Sequence, residues 1–133
     1  MDIGSRKDIE LLVTGFYDKV IKDPTIGFIF NDIMKVKWET HLPVMYDFWE
    51  TILLNETRYS GNTMGIHFEI NRKIKLEEKY FNRWMELFTL TVDELYQGEI
   101  ADMAKKRAQS IAAVMLFKMN QENEGLKITS NPK

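Results

Sequence analysis

The chain has 133 residues, of which 44% are hydrophobic and 12% aromatic, which is enough apolar mass for the core of one compact domain. Its net charge of −2 argues against a nucleic-acid partner, which would need a clustered basic surface. The absence of cysteine excludes a disulfide framework, thiolate metal ligands and a thiol nucleophile. We expect a single domain over residues 1–133, with an ordered core at about 5–120 and a polar tail at about 121–133.

Neither the first residues nor the apolar runs of the sequence point to a membrane. The polar N-terminal segment lacks the apolar stretch of a signal peptide, and the longest apolar run, residues 111–117, is too short to span a bilayer. We therefore expect a cytoplasmic protein with no membrane partner.

The first predicted helix begins near Ser5, because Ser5 and Asp8 form a capping-box pattern. It ends at Asp23, since the residue before a proline avoids the helical conformation. Its apolar stripe consists of Ile9, Leu12, Val13, Phe16 and Val20. Tyr17 lies at the edge of this stripe, so its hydroxyl could reach the surface or point into a ligand cavity. The apolar connector at 26–30 must bury Phe28 or Phe30, and Phe30 could simply close one end of the core.

The second predicted helix, about Val36 to Leu54, carries His41 in an apolar stripe. That stripe consists of Trp38, His41, Leu42, Met45, Phe48, Trp49 and Ile52. His67, the other histidine, follows a polar turn and lies on a short segment that returns towards the first helix. Two imidazoles that face one apolar space suggest a flat ligand with a metal at its centre. Each could instead be an ordinary core histidine with a polar partner.

The third predicted helix runs from about Leu76 to Tyr96 and the last from about Glu99 to Met119. The buried stripe of the third consists of Tyr80, Phe81, Trp84, Leu87, Phe88, Thr91 and Leu95. Trp84 is either a packing residue or an indole donor to a ligand. Small residues in the last helix, at Ala104, Ala108 and Ala112, allow close packing. Four main helices and no credible strand predict an all-α domain.

The residue inventory fits haem better than other metal sites. Two histidines are too few for a closed zinc site, and neither follows a glutamate at the Glu-x-x-His spacing of di-iron bundles. Haem needs one histidine ligand and an apolar slot. Tyr17, His41 and Trp84 could then donate hydrogen bonds to dioxygen on the opposite face, each worth about 1.5–3 kcal/mol.

The order and spacing of several short motifs carry a family resemblance that spans roughly Ile9 to Met119. The motifs are Phe16-Tyr17-x-x-Val20-x-x-Asp23, Ile26-Gly27-x-Ile29-Phe30, Trp38-x-x-His41-Leu42, Phe48-Trp49, Leu53-Leu54, Tyr59-x-Gly61, His67, Phe81-x-x-Trp84-x-x-Leu87-Phe88 and Arg107-Ala108-x-x-Ile111-Ala112. In these features the chain resembles the truncated haemoglobins, and most closely their third group.

The resemblance implies a globin-like fold, a truncated two-over-two α-helical sandwich around haem b (iron protoporphyrin IX). It implies that His67 is the proximal iron ligand and that Tyr17, His41 and Trp84 line the distal side. Phe30 matches the aromatic residue that packs on the haem, and Met45 matches the apolar residue over the distal face.

Three functions remain open from the sequence. The first is reversible binding of dioxygen, nitric oxide or carbon monoxide. The second is redox catalysis at the same iron, such as nitric oxide dioxygenation or peroxidase-like chemistry, with a reductase as partner. The third is a cofactor-free helical protein that acts through a partner surface.

Overall fold

The computed structural model describes residues 1–54 and 75–129, with side chains as far as 123, and every regular element in these residues is helical. The elements are α1 (Arg6–Lys22), a single π-helical turn (Ile29–Ile33), α2 (Trp38–Leu54), α3 (Glu78–Leu95) and α4 (Glu99–Thr129). The predicted all-α class is thereby confirmed. Within the described ranges, no helix combines the length and apolarity that crossing a membrane requires.

The helices pack as two pairs, with α1 against α2 and α3 against α4. Contacts between α1 and α3 join the two pairs, and α2 also touches α4. The core lies between them, and its largest fully buried side chains include Phe16, Phe88, Ile9, Leu12, Ile26 and Met119. On α4 the predicted small residues are buried, since Ala104 and Ala108 are 0% exposed and Ala112 is 8% exposed. Their size lets α4 approach α3 closely.

Helix α1 begins where the sequence predicts, with Ser5 as an extended N-cap residue. The Ser5 hydroxyl accepts a hydrogen bond from the Asp8 backbone N–H at 3.4 Å. The Asp8 carboxylate accepts from the N–H of Gly4, at 2.8 Å, and not from that of Ser5. Only the forward half of the predicted capping box is therefore formed.

The N-terminal segment caps the last helix. The two carboxylate oxygens of Asp2 accept hydrogen bonds from the backbone N–H groups of Ile100, at 2.9 Å, and Ala101, at 2.8 Å. Gly98 makes this approach feasible, because its φ is +146° and a Cβ there would lie 2.5 Å from the Asp2 side chain. The N–H groups of the first turn of α4 thus find acceptors almost a hundred residues away in sequence.

Two sequence predictions about helix ends and faces are wrong in detail. Helix α4 continues beyond its predicted end at Met119 to Thr129, because polar helix-forming residues such as Gln121 and Glu122 extend it outside the core. Leu95 was expected in the buried stripe of α3 but is 43% exposed. It is the last residue of that helix, and although its side chain lies near Gly15 of α1, no further turn of α3 follows to cover it.

Candidate functional site

Three of the residues predicted for the site lie together in one aromatic cluster, which consists of Tyr17, Phe30, Trp38 and His41. The Tyr17 ring centroid lies 5.1 Å from that of Trp38, 5.6 Å from that of His41 and 5.9 Å from that of Phe30. Trp38 in turn contacts His41 edge-on at 5.5 Å and stacks on Phe30 at 6.2 Å. The contacts join residues from three separate elements.

The connector after α1 brings Phe30 to this cluster. It folds back over the last turn of α1, where the side-chain amide of Asn31 donates to the Ile21 carbonyl at 3.0 Å. Gly27 is required at this point, because a Cβ there would lie 2.8 Å from the same carbonyl oxygen. The π-helical turn then ends before Trp38 and His41, which both lie in the first turn of α2.

The phenol of Tyr17 is buried but stays a hydrogen-bond donor. Its residue is 6% exposed, and burial raises the pKa of the phenol above its ordinary value. The hydroxyl is therefore protonated at neutral pH. Burial is the only cause of this pKa shift, with no hydrogen bond contributing to it, so the hydroxyl proton can serve a ligand. The sequence leaves open whether Tyr17 reaches the surface or the interior, and the structure places it in the interior.

Trp84 lies on α3 and reaches the cluster through Phe16. The Phe16 ring packs 4.9 Å from Tyr17 and meets Trp84 edge-on at 5.5 Å. On its other side Trp84 stacks on Phe88 at 5.6 Å, with an angle of 14° between the ring planes, and Phe88 stacks on Trp49 at 4.8 Å. Trp84 itself is only half-buried, so part of the ring remains open to a ligand.

Helix α2 presents an apolar face whose residues are only half-buried in the described part of the structure. Its half-buried members are Trp38, His41, Leu42, Met45, Phe48 and Ile52. Within this face Nε2 of His41 is shielded from solvent. Met45, one turn after His41, packs against the core from this face. His67, the sixth predicted site residue, lies outside the described residues.

Sequence reasoning missed two members of the site, Trp38 and Phe16. Trp38 was placed in the α2 stripe without a role, although it lies one helical turn before His41 and therefore shares its face. Phe16 was taken as a core residue, and its position between Tyr17 and Trp84 depends on how α1 and α3 cross. No periodicity in the sequence encodes that crossing.

The described residues provide no other metal or ligand centre near the cluster. No group of three or more histidines, aspartates and glutamates among them could hold a metal ion. An open groove of about 660 Å³ runs along α3, lined by Asn82, Met85, Glu86, Thr89, Leu90 and Asp93. Helical spacing puts these residues on the side of α3 opposite Trp84 and Phe88, so the groove is separate from the site.

Comparison with known proteins agrees with this geometry. No family model matches the chain. The group 3 truncated hemoglobin ctb of Campylobacter jejuni is 30% identical over 112 residues, which cover 82% of this chain and 86% of that protein. A crystal structure of the group III truncated hemoglobin from Campylobacter jejuni superimposes with a TM-score of 0.78 and 28% identity, over 90% of this chain and 94% of that one. The two-pair helical packing is therefore a globin fold, and the chain belongs to the group 3 truncated hemoglobins.

Proposed function

We propose that this globin holds haem b and binds a diatomic gas, namely dioxygen, nitric oxide or carbon monoxide, on the side lined by Tyr17, His41 and Trp84. As a truncated hemoglobin the chain is a haem globin. The observation that supports the gas-binding role is the buried Tyr17 side chain, whose hydroxyl is kept protonated by burial alone and which packs against His41, Phe30 and Trp38.

The residues present fit a flat apolar group. The half-buried face of α2 offers an apolar wall that includes Met45, and Phe30 stands at its edge against Tyr17. Such a face would expose hydrocarbon to water unless something covers it, and a porphyrin supplies a matching apolar surface. Haem iron supplies the position at which the gas binds.

We assign His67 as the proximal iron ligand. The other histidine, His41, is a member of the aromatic cluster and faces Tyr17 edge-on at 5.6 Å. An imidazole held beside the proposed gas-binding donors fits the distal residue that the resemblance implies. The same resemblance implies that His67, the other histidine of the sequence, would hold the iron.

Three side chains act on the gas by hydrogen bonding. The Tyr17 hydroxyl donates because burial keeps it protonated, and the Trp84 indole N–H can only donate. His41 contributes a third donor when its ring nitrogen that faces the gas carries the proton. Bound dioxygen carries partial negative charge, so these donors slow its release.

The alternative is a redox enzyme at the same centre. Donors that hold dioxygen also polarise an O–O bond, so the same residues suit nitric oxide dioxygenation or peroxidase-like chemistry. Nitric oxide dioxygenation would need electrons from a reductase, and peroxidase-like chemistry would need them from a reducing substrate. Turnover of nitric oxide that continues with a reductant and outpaces gas release would favour the enzyme. Stoichiometric, reversible binding favours the gas binder.

The test of the proposal is a visible spectrum of two variants, His67→Ala and His41→Ala, with and without carbon monoxide. We expect His41→Ala to retain a Soret band that shifts with carbon monoxide, because it removes only a distal group. His67→Ala should lose the specific haem spectrum. A normal haem spectrum in His67→Ala would show that the iron ligand is another residue, and a wild-type protein that fails to take up hemin would overturn the haem function.

The domain boundaries and the location of the protein stay predictions. We propose one globin domain over residues 1–133 in the cytoplasm, as the sequence suggests. Limited proteolysis that leaves the haem-loaded protein intact between α1 and α4 would support the single domain.

A further inference from the structure

A single buried carboxylate joins the connector after α1 to helix α3. Asp23 is 7% exposed. Its Oδ2 atom accepts hydrogen bonds from the backbone N–H groups of Thr25, at 3.0 Å, and Ile26, at 3.1 Å. Its Oδ1 atom accepts from Nε of Arg83 at 2.8 Å, and Nη2 of Arg83 lies 2.7 Å from the same oxygen. Each oxygen therefore serves a different element.

The charge on this carboxylate is retained in the folded protein. Burial alone would raise the pKa of Asp23, but the hydrogen bonds from Arg83, Ile26 and Thr25 outweigh it and lower the pKa. The Asp23–Arg83 contact is thus charge-assisted, and it engages two nitrogens of the planar guanidinium. Such a contact fixes the orientation of the guanidinium relative to the carboxylate as well as the distance between them.

The two elements that Asp23 joins each lead to a residue of the proposed gas-binding side. The connector leads into Phe30, which packs on Tyr17. Arg83 directly precedes Trp84 on α3. A second contact supports the same junction, because Phe28 of the connector meets Tyr80 of α3 edge-on at 6.0 Å.

We infer that Asp23 and Arg83 are positioning residues that set the placement of Trp84 on α3 relative to Tyr17 and Phe30, and thereby the hydrogen bonds offered to the gas. The inference rests on the proposed gas-binding function. Neither residue touches the gas, and both act through the elements they join. A one-ångström displacement of a donor is enough to weaken a hydrogen bond that depends on distance and angle.

The test measures the C–O stretching frequency of the ferrous carbon monoxide form, which reports hydrogen bonding to the gas and not overall stability. We compare Asp23→Asn and Arg83→Gln with a matched control, Lys19→Gln. Lys19 forms an ion pair with Glu94 at 3.0 Å, which joins the same two helices, α1 and α3, without involving the connector. The expected result is a shifted or split C–O band in the two pair variants and an unchanged band in the control.

The outcomes separate this inference from the proposed function. Tyr17→Phe calibrates the band, because it removes the proposed donor itself. If Tyr17→Phe moves the band and the pair variants do not, the positioning inference is wrong while the donor role stands. If Tyr17→Phe leaves the band unmoved, the donor role of Tyr17 is wrong, and the positioning inference then holds only if the pair variants still move the band through Trp84. If Asp23→Asn does not fold, Arg83→Lys replaces it. Lysine keeps the positive charge but loses the planar guanidinium, so a shifted C–O band in this variant supports the inference and an unchanged band contradicts it.

Discussion

Tyr17 is surrounded by aromatic rings, and burial among them keeps its hydroxyl protonated. The rings of Phe16, Trp38 and His41 all have centroids within 5.6 Å of its own. This packing fixes the phenol, so a hydrogen bond to a ligand costs little further ordering of the side chain.

We predict that Tyr17→Phe speeds dioxygen release from the ferrous protein by about tenfold or more. The expected loss of one charge-assisted hydrogen bond is about 1.5–3 kcal/mol, and each 1.4 kcal/mol corresponds to a factor of about ten. Stopped-flow measurement of the dioxygen dissociation rate gives the answer. Phenylalanine preserves the ring contacts, so the variant should still fold.

Tyr46→Phe is the control for this prediction. Its hydroxyl forms a hydrogen bond of 2.7 Å with the Thr14 hydroxyl, away from the aromatic cluster. It should lower stability slightly and leave the dissociation rate unchanged. An equal acceleration in both variants would mean that the loss of a tyrosine hydroxyl acts through general loosening.

The residue types of the site could be predicted from the sequence, whereas their orientation could not. The motif around His41 and the position of Trp84 in its stripe single out both residues. Tyr17 lies at the edge of a helical stripe, where a small rotation of α1 decides between surface and interior. Phe30 and Trp38 pack on Tyr17 and decide it, and Phe30 comes from a connector whose path no periodicity describes.

At the level of elements, Asp2 near the start of the chain organises the junction between α3 and α4. The backbone N–H of Ile100 is the main cause that lowers the pKa of Asp2, and the N–H of Ala101 adds to it. Because these hydrogen bonds stabilise the charged form, the Asp2 carboxyl binds a proton less readily in the folded protein than in the unfolded chain. Stability from this cap is therefore present above the unfolded pKa, near 3.8, and is lost as the pH falls through the lowered folded value.

We predict that Asp2→Asn lowers the melting temperature at pH 7 and that the difference from wild type shrinks as the pH falls below about 4. Melting curves by circular dichroism over a pH series provide the measurement. Asp18→Asn, at an exposed position of α1, makes the same chemical change without the cap and serves as the control. A wild-type advantage that stays constant down to pH 2 would contradict the role assigned to the carboxylate.

The helices themselves were predicted closely where local signals define them. Ser5 caps α1, the Asp23-Pro24 pair ends it, and Gly98 separates α3 from α4, as their chemistry requires. The end of α4 was not predictable from the apolar stripe, because the sequence of residues 120–129 is mostly polar and does not continue that stripe. The cap by Asp2 was equally hidden, since its partners are distant in sequence.

Across the whole molecule, polar contacts fix the way the helices are joined. Arg6 on α1 donates to Asp47 and Glu50 on α2, and Glu50 is only 5% exposed. The side-chain hydrogen bond to Asp47 is the main cause that raises the pKa of Arg6, followed by the bond to Glu50. The guanidinium therefore stays charged and compensates a carboxylate that has little access to water.

We predict that Arg6→Gln lowers the free energy of unfolding by about 1–3 kcal/mol, since it weakens the compensation of the buried Glu50 carboxylate. Arg6 remains partly exposed, so solvent screening limits the loss. Urea unfolding measures it as a lower midpoint with an unchanged slope. Lys105→Gln, which removes a surface ion pair with Asp93 between α4 and α3, should cost less. Equal losses of unfolding free energy in Arg6→Gln and Lys105→Gln would mean that the burial of Glu50 does not strengthen its ion pair with Arg6.

The contact between Asp2 and the start of α4 also constrains the order in which the protein can be completed during synthesis. Asp2 and Ile100 are separated by 98 positions, and translation at roughly 5–20 residues per second leaves a gap of about 5–20 s between them. Asp2 leaves the ribosome early but meets its partners on α4 only when that helix emerges. The nascent chain therefore cannot form this cap while α4 is still within the ribosome, and the step that docks the N-terminal segment on α4 follows the synthesis of that helix.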